Sequence, residues 1–317
     1  MTVTFRAKSP KDLLAVVPIA LGFEPEDSIV MLAFGDPAPP HARIDLPPRG
    51  DPEALDVVAA ALLEPCRRHR ADRVVFVLYG SHSGHCRQVA RVLRRRFERA
   101  GIAVLECLRA DAGRWFSADG RRRGVPRWGV PYDVDAHPFR AEAVLAGQVT
   151  HASRTDLVAS VAVDPVRRTA IEAMLDRADL LTAAELAELC CRHAEADTVP
   201  TDLDAARMLL TVQVGPLRDA AWVPLTRDTA SAHIGLWRDL VRRAPTPLLP
   251  AAAAVLAFAA WLEGNGALAW CALDRCFAVE PGQSLGRLVA HMLEAALSPS
   301  EWETMRGSLD DLLGRAG

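Results

Sequence analysis

The chain has 317 residues, of which 50% are hydrophobic and 24% are charged, and its formal net charge at pH 7 is −3. This length and composition indicate a globular protein with one large domain or two, and with enough apolar material for a core. The small negative charge excludes a global electrostatic attraction to nucleic acid or to an anionic membrane.

Three features predict a cytoplasmic protein that does not enter a membrane. The seven cysteines include no Cys-x-x-Cys pair, which favours reduced thiols over a disulfide framework. The first residues lack the charged and apolar regions of a secretory signal. The longest apolar stretch, residues 248–262, is interrupted by Pro250 and is too short to span a bilayer, so it predicts a buried helix.

The N-terminal part begins with a helix and a hairpin. Ser9-Pro10 predicts a helix over residues 11–20, because proline suits the first helical turn. Residues 27–34 form an apolar strand pattern that ends in turn residues, and residues 41–46 alternate as its hairpin partner would. Asp51 before Pro52 predicts the capped start of a second helix.

A βαβ unit follows and is the clearest local pattern in the chain. Residues 73–79 are almost continuously apolar, as in a strand that is covered on both faces. Residues 88–99 have a helical period, and 102–108 form the next strand, so the two strands should be parallel with a right-handed crossover. Asp119-Gly120 predicts a hairpin between 114–117 and 125–128, which makes the sheet mixed.

From Pro138 onward the pattern is helical almost throughout. Thr182 and Glu185 form a capping box, and residues 214–224 form a break between helices. We therefore expect an α/β domain with a mixed sheet over residues 1–163 and an all-helical domain over 164–317. The predicted helices are 138–147, 154–161, 165–178, 182–195, 201–214, 228–243, 248–263, 266–279, 283–297 and 299–313.

A helix hairpin joined at Gly264-Asn265-Gly266 has the spacing of one tetratricopeptide repeat over residues 248–281. The leading hypothesis is a non-enzymatic interaction or regulatory protein that binds a protein partner through this hairpin, with Trp261, Asn265 and Trp270 as contact residues. The alternative is an ordinary helical domain that uses a common hairpin.

The loop that joins the 73–79 strand to the next helix is the candidate ligand site, and its residues are Gly80, Ser81, His82, Ser83, Gly84 and His85. Ligands bind outside the carboxyl ends of strands in α/β sheets, and helix N-terminal amides attract anions. A phosphate-bearing small molecule would fit, although the loop matches neither common phosphate-binding motif. The alternative is a polar loop that caps the helix. No catalytic residue and no cofactor can be assigned, so enzymatic activity stays open.

His82, His85 and Cys86 are metal-ligating residue types within five positions. The paired spacing that is typical of structural zinc is missing, however, and no fourth ligand can be identified. We therefore assign no metal.

An arginine-rich region spans residues 87–127, where twelve arginines and four acidic residues give an excess of eight positive charges. Trp115, Phe116 and Trp128 are interleaved with them and would suit stacking on bases. The alternative is a solvated charged face, because 35 of the 37 basic residues are arginine in this alanine-rich and arginine-rich chain. Nucleic acid therefore ranks below the other two partners.

Several stretches together resemble a known family. They are Leu21-Gly22-Phe23-Glu24-Pro25-Glu26-Asp27-Ser28, the helix that begins at Ser9-Pro10-Lys11-Asp12, Arg43-Ile44-Asp45-Leu46-Pro47, and residues 259–275. The chain resembles the actinobacterial domain-of-unknown-function family numbered 4192 over nearly its whole length. The resemblance agrees with the composition expected of a GC-rich genome, and it implies no activity, substrate or catalytic residue.

Overall fold

The computed structural model describes residues 6–35, 41–145, 150–299 and Trp302. The chain falls into two compact units, Met1–Arg154 and Thr155–Gly317. The sequence suggests a boundary at 163/164, and the observed division lies about one short helix before it. The first unit holds the sheet, and the second unit is helical among its described residues.

A six-stranded mixed sheet forms the first unit, in the order β2-β1-β3-β4-β5-β6. Strands β3 and β4 are parallel and the other neighbours are antiparallel, which confirms the predicted βαβ unit and the β1–β2 hairpin. The strands are β1 (Ser28–Phe34), β2 (Ala42–Asp45), β3 (Arg73–Tyr79), β4 (Ala103–Asp111), β5 (Arg114–Ser117) and β6 (Val130–Pro131).

Four helices accompany the sheet: α1 (Pro10–Leu21), α2 (Pro52–Arg68), α3 (Ser83–Arg99) and α4 (Pro138–Leu145). Ser9 and Asp12 form a capping box at the start of α1, and the Asp51 side chain accepts from the Ala54 amide at the start of α2. These caps satisfy amides that have no partner within the helix. The side chain of His82 makes no such bond at the start of α3.

The core of the first unit lies between the sheet and the helices α2 and α3. Phe76 of β3 meets Phe97 of α3 edge to face, with ring centroids 5.0 Å apart. Val75 and Val77 alternate with Phe76 and are buried on the opposite face. Burial on both faces explains why β3 is a continuous apolar run rather than an alternating one.

The second unit consists of nine described α-helices and two short 3-10 helices, 175–177 and 246–248. Thr182 and Glu185 form the predicted capping box. The predicted last helix, 299–313, lies almost wholly outside the described residues. The helices are α5 (Arg154–Ala159), α6 (Pro165–Glu172), α7 (Ala183–Glu195), α8 (Asp202–Thr211), α9 (Gly215–Trp222), α10 (Arg227–Arg243), α11 (Leu249–Glu263), α12 (Gly266–Val279) and α13 (Ser284–Glu294).

Helix α9 corrects one prediction, because the sequence analysis treats residues 214–224 as a break. Pro216 lies in the first turn of α9, where its missing amide costs nothing and its fixed φ favours the helix. The Gly-Pro pair therefore starts a helix here instead of separating two helices.

Helix α11 is the centre of the second unit. Every residue from Leu249 to Leu262 is buried, so the helix is covered around its whole circumference. The segment Thr246–Glu263 has the length and hydropathy of a membrane span, but 78% of it is buried inside the protein. This is typical of a core helix. Helix α12 follows after Gly264-Asn265, which confirms the predicted helix hairpin.

The connection after β5 differs from the predicted hairpin. Strand β5 pairs with Val130–Pro131 and not with residues 125–128, so a longer loop, residues 118–129, lies between the strands. The Asp119 carboxylate accepts from the Arg121 amide, and the Ser117 hydroxyl accepts from the Arg122 amide. These bonds order the first part of the loop, and Pro126, which lies inside the predicted partner strand, has no amide to contribute to a ladder.

Gly129 at the end of this loop should be intolerant of a side chain. Its φ is +75°, and a Cβ there would lie 2.6 Å from the Phe116 ring. We expect Gly129→Ala to lower the free energy of unfolding by about 1–3 kcal/mol more than Gly124→Ala, because overpacking is added to backbone strain. Gly124 is a matched control, with φ +80° and nothing within 4 Å of its Cβ position. Urea unfolding followed by circular dichroism measures both, and equal losses would contradict the steric argument.

Candidate functional site

The loop Gly80–His85 lies at the carboxyl ends of β3 and β4, as the sequence predicts. Its backbone carbonyls are held from β4. Arg109 Nη1 donates to Gly80 O at 3.1 Å and to Ser81 O at 3.4 Å, and it pairs with Asp111 at 2.7 Å. The Arg109 guanidinium also lies 3.8 Å above the Phe116 ring centroid. This buried arginine therefore stabilises the loop from within the protein.

The two histidines of the loop are also bound to protein groups. His85 Nε2 lies 2.9 Å from Pro47 O and must donate, because a carbonyl only accepts. His82 Nδ1 lies 3.3 Å from Arg49 Nη1 and accepts from it. Ser81, Ser83 and Gly84 are exposed. The structure thus brings the six predicted residues to one edge of the sheet, and ligand binding there stays a prediction.

The Cys86 side chain belongs to the interior of the first unit. It is buried, its thiol donates to Gly80 O at 3.8 Å, and burial raises the pKa of the thiol. Among the described residues, no group of three or more His, Cys, Asp and Glu side chains could hold a metal ion.

The three residues predicted to bind a partner have different environments. Trp261 is 4% exposed and its Nε1 donates to Leu297 O at 3.3 Å. Asn265 caps α12 by accepting from the Leu268 amide at 3.0 Å. Trp270 is half-buried. Trp261 and Asn265 therefore have structural roles in the hairpin, and partner binding by the hairpin stays a prediction.

A row of exposed arginines runs along α3. Arg87, Arg91, Arg95 and Arg99 are four residues apart, and we call them the arginine row. Residues at this spacing lie next to one another on a helix surface, in a stripe inclined to the axis. Within the described part of the chain, none of the four has a carboxylate at ion-pairing distance, although Arg94 and Arg96 on the same helix are both paired.

A cavity of about 540 Å³ opens beside the arginine row. Arg91, Arg95 and Arg99 line it from the helix, and Arg121 lines it from the 118–129 loop. Arg94 also lines it, together with two carboxylates, so the lining carries an excess of three positive charges. Such a concave surface attracts anions.

Arg94 holds this region together. It is 7% exposed, and its guanidinium donates to Asp119 at 2.6 Å and to Val104 O at 2.6 Å. It also reaches Glu98 at 3.2 Å and the Cys107 sulfur at 3.8 Å. Burial raises the pKa of Cys107 to about 12, so its thiol is neutral near pH 7. The charge of Arg94 is therefore balanced by Asp119 and Glu98.

The 118–129 loop contributes further arginines. Arg121 pairs with Glu98 at 3.2 Å, and Arg122 pairs with Glu106 while lying above the Trp115 ring. Arg123 and Arg127 are exposed, and no carboxylate of the described chain pairs with either. The positive charge that carboxylates leave unbalanced thus lies on the arginine row and on this loop.

The arginine-rich region is evident from the sequence, but its exposed and buried members are not separated there. The four-residue spacing of the arginine row could have been read from the helical period. The burial of Arg94 beside exposed Arg95 depends on Asp119, which is 25 residues away in the chain.

The comparisons place the chain in a family. Residues 10–300 match the family model described as a domain of unknown function, DUF4192. The chain belongs to the DUF4192 family. Neither the curated proteins nor the solved structures contain a match to the chain. The family description carries no activity or ligand, so the function of this member has to be argued from its residues.

Asp119→Asn should destabilise the protein by about 3 kcal/mol, because it leaves the buried Arg94 without its principal counter-charge. Glu188→Gln is the control, since it removes the exposed partner of Arg192 and should cost less than about 0.5 kcal/mol. Chemical unfolding at pH 7 measures both variants. A loss in Asp119→Asn no larger than that in Glu188→Gln would show that Arg94 does not depend on Asp119.

Proposed function

We propose that the protein binds the phosphate backbone of a nucleic acid through the arginine row of α3. The observation that carries the proposal is the set of four exposed arginines, one helical turn apart, without acidic partners in the described chain. Arginine presents a planar fork of donors that matches phosphate oxygens. Contacts of this kind bring affinity without reading the sequence.

The length of the arginine row suits a polyanion better than a single small anion. Successive members are ~6 Å apart along the helix axis, and Arg87 and Arg99 are ~18 Å apart. Duplex DNA carries a negative charge every ~1.7 Å of its axis, and so ~10 charges over that distance. A polynucleotide can therefore meet all four guanidinium groups at once.

The arginine row is also unfavourable to the free protein. Like charges four residues apart destabilise a helix by about 0.2–0.5 kcal/mol per pair, and the row contains three such pairs. In the described chain none of the four has a carboxylate at ion-pairing distance, and the cavity lining beside the row keeps its excess of positive charge. An anionic partner would offset it, and this favours binding over a merely solvated face.

The helix hairpin of the second unit gives weaker support to a protein partner, which the sequence analysis ranks first. Helix α11 is buried on all sides, and Trp261 belongs to the core. Partner binding through Trp270, and a tetratricopeptide-like role for residues 248–281, remain proposals with no contact in the described chain that favours them. The same holds for a phosphate-bearing ligand at Gly80–His85.

We infer a cytoplasmic location in an actinobacterium from the composition and the cysteines. All seven cysteines are free thiols and six of them are buried, which supports a reducing compartment. A nucleic-acid partner is available in that compartment. Recovery of the tagged native protein outside the cytoplasmic fraction would contradict this inference.

Replacing the arginine row should weaken nucleic-acid binding and reduce its salt dependence. We expect the variant with Gln at positions 87, 91, 95 and 99 to lose more than tenfold in affinity at 50 mM KCl. The slope of log K against log salt should fall by about 3, because each lost phosphate contact removes ~0.7–0.9. Fluorescence anisotropy with a labelled 20-nucleotide strand and a matched duplex, between 50 and 300 mM KCl, measures both quantities.

A charge-matched variant is the control. It carries Gln in place of four exposed arginines from other helices, Arg154, Arg177, Arg192 and Arg287. It should bind as the wild type does. Equal weakening in both variants would indicate nonspecific attraction and would overturn the proposal, as would a wild-type protein that binds neither nucleic acid.

A further inference from the structure

We propose that the site selects unpaired polynucleotides, and that Trp128 is the platform on which a base stacks. The inference rests on the proposed function, because the arginine row supplies the backbone contacts. Phosphates alone do not distinguish a single strand from a duplex, so selectivity requires a group that meets the face of a base. An exposed aromatic ring on the loop that lines the basic cavity is such a group.

Trp128 is 74% exposed. The other two aromatic side chains of the region are occupied within the protein. Trp115 is 8% exposed and lies below the Arg122 guanidinium, and Phe116 lies between Arg109 and the backbone at Gly129. Of the three aromatic residues that the sequence analysis considers for stacking, the geometry leaves Trp128 free.

The backbone under Trp128 is held in place although the indole is exposed. Arg114 Nη1 donates to Trp128 O and to Gly129 O, both at 3.2 Å. The Gly129 amide donates to Pro126 O at 2.9 Å, and the close approach of Gly129 to Phe116 fixes the chain further. A base that stacks here therefore meets a side chain on an ordered support, which reduces the entropy lost on binding.

Two ion pairs connect the 118–129 loop, which carries Trp128, to helix α3, which carries the arginine row. Asp119 binds buried Arg94, and Arg121 binds Glu98 of the same helix. Arg123 and Arg127 are exposed in the loop between these ties and Trp128. Arg121 lines the cavity from the loop, on the other side from the arginine row, so positive charge is present on both elements that flank the cavity.

A single strand fits this arrangement because its bases can be splayed out, whereas a duplex hides the base faces in its stack. Stacking of one base on an aromatic side chain accounts for about fivefold to a hundredfold in affinity by alanine substitution. Stacking on Trp128 does not discriminate between bases, because every base has a face that can stack.

The test compares the wild type with Trp128→Ala, Trp128→Leu and Trp128→Phe on three ligands: a 20-nucleotide dT strand, a 20-nucleotide U strand, and a DNA duplex of equal length. We expect the wild type to bind a single strand more tightly than the duplex. Alanine and leucine should lose about fivefold to a hundredfold on the single strand and nothing on the duplex. Phenylalanine, which keeps a ring, should stay within about threefold of the wild type.

The comparison between the dT and U strands shows whether DNA or RNA is the preferred source of the unpaired bases. Because the indole is exposed, the melting temperatures of the three variants should equal that of the wild type, so a loss of binding reports contact and not unfolding. Tighter binding of the duplex, or an unchanged single-strand affinity in Trp128→Ala, would overturn the inference. If Trp128 proves unnecessary but binding still depends on the arginine row, the proposed function stands and only the stacking role of Trp128 is rejected.

Discussion

The buried guanidinium of Arg94 is the interaction on which the candidate interface depends. It links helix α3 to the backbone of β4 through Val104 O and to the 118–129 loop through Asp119. A buried charge is tolerated only when it is paired and hydrogen-bonded, so the positions of Asp119 and Glu98 are constrained by the burial of Arg94. Fixing Asp119 orders the start of the loop, and the loop forms one wall of the basic cavity.

Charge in this region is divided between two tasks. Arg94, Arg109 and Arg122 each form an ion pair with a carboxylate, and Arg94 and Arg109 also donate to backbone carbonyls. These contacts connect the strands, helix α3 and the loops. The arginine row has no such partner in the described chain. A net charge of −3 for the whole chain conceals this division, because attraction of a polyanion depends on local unbalanced charge.

The helical unit uses a different physical solution. Alanine is frequent in α11, and its small side chain lets neighbouring helices pack closely around the whole helix. Polar ties lie at the ends of the elements, where the buried Arg243 binds Asp239, Asp202 and Pro200 O. The hairpin that is prominent in the sequence is thus the core of this unit, and its prominence reflects packing.

The sequence by itself determined the local elements whose signals are short-range. Strand β3, the parallel β3–β4 unit, the caps at Ser9, Asp51 and Thr182 and the hairpin at Gly264 all follow from periodicity and capping chemistry. Helix α9 is not specified in this way, because Gly-Pro is compatible with both a break and a helix start. The partner of β5 was also predicted too early, because Asp119-Gly120 suggests a short turn, whereas the chain forms a loop over residues 118–129 before it pairs at Val130–Pro131.

Only the tertiary structure decided which members of the arginine-rich region face solvent without partners. Arg94 and Arg95 are adjacent and chemically identical, and they differ because Asp119 and Val104 reach one and not the other. Trp115 and Trp128 differ for a similar reason, since one lies within a strand pairing and the other in a loop. Such differences depend on contacts between distant residues, and no local pattern of residue types specifies those contacts.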